Sequence, residues 1–204
     1  MDYYIKGEEK FGPLSSRAYS LGSRRSLKGL YLVALNKIKK TNPKTVLDVG
    51  AGPGDLAILL ASTLKNAKIF CVDPSTYMAD IAINRSKKIG IKNIYYKLGS
   101  SRNIPFKTKF DIITTTLSFH HWKKKEESIN YLLKRLNKNG ILMICEFSYE
   151  KLTKIQKLVM GKHSLSKVEA KSYQFKGYTK KINIYKNIII ISFKKELKSI
   201  NNKH

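Results

Sequence analysis

Hydrophobic and polar positions along the chain follow two alternating patterns. Short apolar runs rich in β-branched residues predict strands, and longer stretches with one apolar face predict helices between them. This alternation is typical of a parallel sheet wrapped by crossover helices. The predicted parallel strands lie at residues 45–49, 68–72, 93–98, 110–117 and 141–147. The predicted helices lie at residues 26–39, 55–64, 75–88, 124–136 and 151–171, the fourth closed by Asn139-Gly140.

Two final strand patterns break the alternation, at residues 181–185 and 188–193. Only Lys186 and Asn187 separate them, and because so short a link does not hold a crossover helix, we expect an antiparallel hairpin. The chain is therefore predicted to be of the α/β class. Its sheet should be mixed and seven-stranded, with five parallel strands plus a C-terminal antiparallel hairpin and helices on both faces.

Length and apolar content indicate one domain. The chain has 204 residues, 42% of them hydrophobic, which is enough for a single buried core. It lacks the run of about 18 apolar residues that a membrane span needs, and its first residues lack a signal-peptide pattern. We therefore predict a cytoplasmic protein. Cys71 and Cys145 lie in apolar runs without metal-ligand spacing, so we expect two buried thiols and no metal site.

Charge is the one extreme property of the composition. The chain has 40 Lys+Arg against 14 Asp+Glu, a formal net charge of +26. Such a field attracts polyanions, whether RNA, DNA or an anionic membrane face. The excess is mostly lysine, spread along the chain beside abundant Ile, Asn and Tyr. Proteome composition from an AT-rich genome is therefore the alternative explanation.

A glycine-rich loop follows the first predicted strand, with the spacing Gly50-x-Gly52-x-Gly54. This spacing is neither the G-x-G-x-x-G of dinucleotide-binding folds nor the G-x-x-x-x-G-K-[ST] of phosphate loops. Asp48 ends the strand and Asp55 opens the next helix, so a pyrophosphate placed there would meet two carboxylates. A cationic ligand without phosphate fits better, and S-adenosylmethionine has both properties.

Four segments, in order, resemble the motifs of class I S-adenosylmethionine-dependent methyltransferases. Residues 46–54, VLDVGAGPG, look like the family's D-x-G-x-G-x-G motif, and residues 72–75, VDPS, look like the acidic end of its second strand. Residues 118–122, SFHHW, follow the fourth strand. Residues 135–142, RLNKNGIL, are similar to the family's R-x-L-x-x-G-G segment, with the first glycine replaced by asparagine. The resemblance implies a Rossmann-like fold, S-adenosylmethionine as cofactor and methyl transfer as activity.

The resemblance also implies a cofactor site. Asp48 is placed to attract the ammonium of the cofactor, and Asp73 is placed to accept hydrogen bonds from its ribose hydroxyls. Gly50 and Gly52 allow a close backbone approach. Met78 either packs on the adenine or fills the core. The expected cofactor-binding residues are Asp48, Gly50, Ala51, Gly52, Asp73, Pro74, Met78, Ser100, Ser101 and Leu117.

One position departs from the family pattern. Relatives often show Gly-Asp after the third strand, where the acid receives the adenine amino group, and this chain has Gly99-Ser100. A serine hydroxyl also accepts a hydrogen bond, but without charge assistance. The sequence therefore predicts a modest affinity for the cofactor.

Residues 118–122 resemble one branch of the family in particular, methyltransferase type 11, which includes ubiquinone and menaquinone C-methyltransferases and many small-molecule O- and N-methyltransferases. In that branch an N-terminal aromatic segment lies over the cofactor. Residues 11–19, FGPLSSRAY, match that segment loosely, and Tyr19 is the expected contact. We therefore divide the single domain into an N-terminal helical segment covering the site, residues 1–44, and a core, residues 45–204.

Three residues are candidates for the chemistry at the acceptor. His120 and His121 follow the fourth strand, where a histidine could take a proton as the methyl group transfers. Neighbours on an extended segment point to opposite sides, so at most one of the pair should face the acceptor. Glu146, at the end of the fifth strand, is placed to orient or assist such a base. The alternative is an enzyme that works mainly by holding donor and acceptor in line.

The acceptor itself is an expectation from the resemblance. We expect a small or lipid-like acceptor such as a quinone. Peripheral contact of the chain with an anionic membrane fits the positive charge. RNA is the main alternative because the surface is basic. Protein methylation, and a cofactor-binding subunit without activity, are the further alternatives.

Overall fold

An eight-stranded mixed sheet runs through the part of the chain that the computed structural model describes, residues 3–4, 12, 16 and 27–196. Seven strands match those predicted from the sequence, and the eighth is a two-residue strand that the sequence analysis missed. The strands are β1 (Thr45–Val49), β2 (Lys68–Asp73), β3 (Ile94–Leu98), β4 (Phe110–Thr116), β5 (Leu136–Ser148), β6 (Ser164–Leu165), β7 (Tyr178–Tyr185) and β8 (Ile188–Lys195).

Six α-helices with described bounds accompany the sheet, and a side-chain cap starts three of them. The side chain of Ser75, for example, accepts a hydrogen bond from the backbone N–H of Met78 at 3.4 Å and starts the third helix. The helices are α1 (Lys28–Lys39), α2 (Asp55–Thr63), α3 (Thr76–Lys88), α4 (Lys125–Lys134), α5 (Lys154–Met160) and α6 (Lys167–Ser172). None of these helices has the length and apolar content to cross a membrane.

The strand order is β3-β2-β1-β4-β5-β8-β7, with β6 paired to β5. The five predicted parallel strands are parallel, and β7 and β8 form the predicted antiparallel hairpin. The chain runs outward from β1 to β3 and then returns to add β4 on the other side of β1. Such a reversal opens a crevice at the carboxyl ends of the two central strands, which is where open α/β sheets bind ligands.

Two apolar clusters cover the two faces of the sheet, as predicted. One packs α1 and α2 against strand residues such as Val46, and the other packs α4 and α6 against residues such as Leu47. Successive strand residues point to opposite faces, so both faces of β1 are buried. Cys71 and Cys145 are buried free thiols, which confirms the sequence prediction.

The predicted helix at residues 151–171 is wrong. This stretch forms α5, a 3₁₀ turn at Gly161–His163, the strand β6 and then α6. Two local signals explain the break: the side chain of Thr153 forms a capping box with Gln156, and the side chain of Ser166 caps α6. Each capping residue starts a new helix, and the residues before Ser166 pair with β5 instead.

The predicted end of the helix at residues 124–136 is also wrong. Helix α4 ends at Lys134, and β5 already begins at Leu136. Gly140 therefore does not stop a helix. A Cβ at this position would lie 2.8 Å from the carbonyl oxygen of Phe110, so glycine is needed where β5 passes close to β4.

Asp111 links three segments at the amino ends of the central strands. Its carboxylate accepts hydrogen bonds from the backbone N–H groups of Lys44 and Thr45 at 2.8 and 3.0 Å, and from the side chain of Asn137 at 2.6 Å. Partial burial opposes ionisation of this group. The hydrogen bonds from Asn137, Lys44 and Thr45 outweigh it and hold the pKa of Asp111 below its ordinary value.

We expect Asp111→Ala to lower the free energy of unfolding by about 2 kcal/mol, because several donors lose a charged acceptor. That corresponds to a fall in Tm of about 6 °C for a chain of this size. Since the folded-state pKa is depressed, the stabilisation exists above the unfolded pKa and disappears as the pH falls below about 4. Thermal unfolding of both proteins from pH 3 to 8 measures this difference. Asp80→Ala, at an exposed position on α3, is the control and should change Tm little; an equal loss in both variants would contradict the assignment.

Candidate active site

A cleft opens at the carboxyl ends of the central strands. Of the residues that sequence analysis proposed, it is lined by Gly50, Asp73, Pro74, Ser100, Ser101 and His121. Five more lining residues were not proposed: Tyr4, Val49, Arg102, Ser118 and Trp122. The predicted site residues from four different strand ends therefore meet in one cavity.

A second, smaller cavity lies against the glycine-rich loop. It is lined by the proposed residues Asp48, Gly50, Ala51, Gly52 and Leu117, and by Tyr31 of α1. Gly50 lines both cavities, so the two meet at this residue. Together their linings include the ends of β1, β2, β3 and β4.

Gly50 is the tightest point of the loop. Its φ is +70°, and a Cβ here would lie 1.9 Å from the Oγ of Ser118. The backbone N–H of Gly50 donates to the carbonyl oxygen of Val72 at 2.8 Å, which continues the β1–β2 pairing into the loop. A side chain at position 50 would therefore push the β1 and β4 ends of the cleft apart.

Two side chains that sequence analysis did not propose hold the loop from outside. The hydroxyl of Tyr96 on β3 donates to the carbonyl oxygen of Gly52 at 2.8 Å. The guanidinium of Arg85 donates to the carbonyl oxygen of Pro53 at 2.5 Å and pairs with Asp55 at 2.7 Å. Arg85 therefore neutralises Asp55. This ion pair corrects the expectation from the sequence that Asp55 adds a second free negative charge to the loop.

Asp48 and Asp73 bring two buried carboxylates to the ends of adjacent strands. Burial, together with the nearby charge of Asp73, raises the pKa of Asp48 to about 7. Burial also raises the pKa of Asp73 to about 6, although backbone N–H groups of Ser75 and Gly52 each donate to it at 2.9 Å. The site therefore favours a ligand that supplies positive charge or hydrogen-bond donors.

The two carboxylates fit S-adenosylmethionine. The ligand has a sulfonium and an ammonium, hydroxyl donors on its ribose, and no phosphate. Asp48 would hold the ammonium. Each carboxylate oxygen of Asp73 has lone pairs beyond its one backbone hydrogen bond, so Asp73 would accept from the ribose hydroxyls. When bound, the cofactor supplies an electrophilic methyl group.

The remaining proposed cofactor residues differ in position. The hydroxyl of Ser100 accepts from the backbone N–H of Arg102 at 3.3 Å, and that of Ser101 pairs with Ser128 at 2.8 Å. Met78 is buried on the first turn of α3 and lines neither of the two cavities. Leu117 leaves β4 with a φ of +54°, which turns the chain towards the site. Tyr19 lies outside the described residues.

The proposed chemical residues lie together beyond β4. His120 Nδ1 lies 2.9 Å from the carboxylate of Glu146, which also accepts from the His120 backbone N–H at 3.3 Å. The segment is a 3₁₀ turn and not the extended segment expected, so the rings of His120 and His121 lie side by side, 4.0 Å apart. Only His121 lines the cleft. The expectation that the two rings point to opposite sides is wrong.

Sequence analysis also missed His163, from the turn before β6. Its ring lies 5.0 Å from that of His120 and 5.8 Å from that of His121. Burial, with His120 and His163 nearby, lowers the pKa of His121 to about 3. His121 is therefore uncharged at neutral pH. No spacing pattern joins residues more than forty positions apart in the sequence, so the only signal was their residue type.

Comparison with known proteins identifies a family that the chain matches and several relatives. A family model described as a methyltransferase domain matches residues 40–200. The chain is 34% identical over 122 residues to an uncharacterised methyltransferase of Staphylococcus carnosus, covering 59% of this chain and 55% of that protein. It is 31% identical over 110 residues to a demethylmenaquinone methyltransferase of Thermotoga maritima, covering 53% and 46%. A carboxy-S-adenosyl-L-methionine synthase of Campylobacter jejuni is 30% identical over 112 residues, covering 55% and 47%. The chain spans about half the length of these curated relatives.

Solved structures share the fold. The plantazolicin methyltransferase BpumL, in complex with a substrate analogue and SAH, aligns with a TM-score of 0.76 at 14% identity, covering 91% of each chain. A SAM-dependent methyltransferase from Aquifex aeolicus aligns with a TM-score of 0.66 at 19% identity, covering 92% of this chain and 100% of that one. At these identities the likeness concerns the backbone fold alone.

Gly52 gives a direct test of the predicted cofactor position. Its φ is +53°, and a Cβ at this residue meets no atom within 4 Å. We expect Gly52→Ala to lower the affinity for S-adenosylmethionine at least tenfold, because the new methyl group enters the ligand's space. Calorimetric titration with the cofactor measures the change.

Gly90→Ala is the matched control for this variant. Gly90 has a similar φ of +70° and open space around it, but it lies at the end of α3, outside both cavities. Each substitution should cost about 1 kcal/mol of backbone strain. Equal cofactor affinity in the two variants would contradict the placement of the ligand against Gly52.

Proposed function

The chain belongs to the family of methyltransferase domains and uses S-adenosylmethionine, and we propose that it transfers the methyl group to a small, lipid-like acceptor such as a quinone. The observation that favours this acceptor class is the apolar surface of α5. Ile155 and Leu158 are 78% and 89% exposed. They are three positions apart on a helix and therefore share one face.

The apolar face of α5 lies close to the candidate chemical residues. His163 follows the end of α5 by three residues, and its ring lies 5.0 Å from that of His120. At 1.5 Å per helical residue, Ile155 is within about 15 Å of this point along the chain axis. Lys154 and Lys157 lie on the same short helix. Exposed apolar side chains between lysines are suited to the surface of an anionic bilayer, where a lipid-like acceptor would be found.

Comparison with relatives supports the same class of acceptor. One relative, 31% identical over 110 residues, is named for demethylmenaquinone, which is an organic molecule and not a nucleic acid. The net charge of +26 would also suit RNA, so RNA is one outcome of the test below.

We further propose that the N-terminal segment, residues 1–44, covers the site. Tyr4 lines the larger cavity and Tyr31 of α1 lines the smaller one. A cover of this kind would exclude water from donor and acceptor, which a small apolar acceptor requires.

The proton that the acceptor loses would leave through the histidines. Because the pKa of His121 is about 3, this residue is a weak base at neutral pH and is better suited to accept a hydrogen bond from the acceptor. His120 is oriented by the buried carboxylate of Glu146 at 2.9 Å, which would stabilise an imidazolium. His121 alone of the pair lines the cleft, and its ring lies 4.0 Å from that of His120. The proposal therefore gives the role of base to His120, reached through His121, and that of orienting partner to Glu146.

We expect the purified chain to transfer labelled methyl from S-adenosylmethionine into the lipid and small-molecule fractions of a cell extract. The RNA and protein fractions, scored separately, should remain unlabelled. Asp48→Asn serves as the inactive comparison, since it removes the carboxylate expected to hold the ammonium. Label in RNA would establish the alternative acceptor. A carboxylated cofactor detected by mass spectrometry would instead match the chemistry of the carboxy-S-adenosyl-L-methionine synthase relative.

Contact with a membrane is tested separately. We expect the chain to sediment with vesicles of equal phosphatidylcholine and phosphatidylglycerol, and much less with phosphatidylcholine alone. Ile155→Ser with Leu158→Ser should weaken vesicle binding at least tenfold, since each buried aliphatic side chain contributes about 1.5–3 kcal/mol. Val168→Ser is the matched control, because Val168 is 80% exposed but lies on α6. A loss of the same size in the control would contradict the role of α5.

A further inference from the structure

Three histidines from two separate segments meet beside the cleft. His120 and His121 come from the turn after β4, and His163 comes from the turn before β6. One ring nitrogen from each histidine can be chosen so that the three nitrogens all lie within 4.8 Å of one another. The described part of the chain contains no other group of His, Cys, Asp or Glu with this property.

The sheet explains why these segments meet. Strand β4 pairs with β5 as far as Cys145, and β6 then pairs with β5 at Phe147 and Ser148. On the other edge of β5 lies β8. β6 therefore occupies the side of β5 that β4 has just left, and the turn before β6 lies next to the turn after β4. The backbone pairing of β6 thus fixes the approach of His163.

The pair of His120 and Glu146 has the geometry of a metal ligand and its supporting carboxylate. Glu146 is fully buried and lies 2.9 Å from Nδ1 of His120. An Nδ1–H that donates to a carboxylate leaves the lone pair on Nε2, the other ring nitrogen. Histidine ligands in metal sites are commonly oriented in this way, and the carboxylate raises the basicity of the ligand.

Distances in the cluster are close to those that a metal needs. Zinc–nitrogen bonds of about 2.0–2.1 Å in a tetrahedron place the ligand nitrogens about 3.3 Å apart. The observed upper limit is 4.8 Å, so the ring nitrogens must approach one another by up to about 1.5 Å. His163 is exposed and lies in a three-residue turn, where a side-chain rotation of that size meets little packing.

We propose that His120, His121 and His163 bind one divalent transition-metal ion of the zinc class, leaving a coordination position open to the cleft. The sequence analysis expected no metal, and this inference replaces that expectation. Imidazole ligands suit zinc and its neighbours, and three protein ligands with an open position are typical of catalytic zinc sites. The nearby carboxylate of Glu146 supplies local negative charge in a basic protein.

A cation at this point would act on the acceptor. This step rests on the proposed function. His121 lines the cleft and is the ligand that faces it, so the open position would receive an oxygen of the acceptor. Coordination of a hydroxyl to such an ion favours loss of its proton to water. In that case His120 is a metal ligand, and the base assigned to it above is not needed.

The test is titration of the untagged, chelator-treated chain with Zn²⁺ alone, followed by calorimetry. We expect one Zn²⁺ per chain with a Kd in the micromolar range or tighter. His163→Ala should weaken binding at least tenfold, and Glu146→Gln should weaken it about 10- to 100-fold through loss of the supporting carboxylate. His204→Ala is the control, since it removes a histidine distant in sequence from the cluster and should leave the Kd unchanged.

Two results would overturn the inference: no Zn²⁺ binding by the wild-type chain, or equal affinity in the wild type and His163→Ala. Binding of S-adenosylmethionine by each variant confirms that the site has folded, because His163 lines neither cofactor cavity. The measurement needs no acceptor, so its failure is distinct from failure of the proposed function. Methyl transfer to a lipid without Zn²⁺ binding would refute only the metal site.

Discussion

The part of the site proposed to bind the methyl donor S-adenosylmethionine, the donor half, depends on two carboxylates. Both carry the same charge and are buried at the ends of adjacent strands. Asp48 and Asp73 both have raised pKa values, which means that folding opposes their ionisation. The ligand-free fold therefore loses stability as the pH rises from about 4 to about 7, and a bound cation recovers it. The surrounding contacts hold this unfavourable arrangement in place. Backbone N–H groups donate to Asp73, Tyr96 holds the loop from β3, and Arg85 removes the charge of Asp55.

The donor half was largely predictable from the sequence because its residues are close to the strand ends that position them. Gly50, two residues after an aspartate, indicates a local backbone conformation that requires glycine. Asp73 ends the next strand and is brought alongside by the β1–β2 register. The hairpin was predictable for the same reason, since a two-residue link between strand patterns permits one geometry. Arg85 and Tyr96 were not predictable, because an arginine on a helix and a tyrosine in a strand are ordinary in those positions.

The acceptor half, the part of the site that contains the residues proposed to act on the methyl acceptor, was only partly predictable. His120, His121 and Glu146 were identified from their positions after strands, but the sequence did not show that the two histidine rings lie on the same side. That depends on a 3₁₀ turn set by Leu117, whose φ of +54° is unusual for leucine. His163 was missed because residues 151–171 read as one amphipathic helix. The capping signals at Thr153 and Ser166 were present in the sequence and would have divided it, yet even then nothing local would have joined β6 to β5.

The shortness of β6 gives the two halves of the site different dynamics. β6 consists of two residues held by pairing with Phe147 and Ser148, whereas β1 and β2 are central strands paired on both sides. Proteins open locally where few contacts must be broken, at free energies far below that of global unfolding. Amide hydrogens around β6 should therefore exchange with solvent long before those of β1. The residues proposed to bind the cofactor are therefore held by the core, while those proposed to act on the acceptor depend in part on a two-residue strand that opens at a lower free energy.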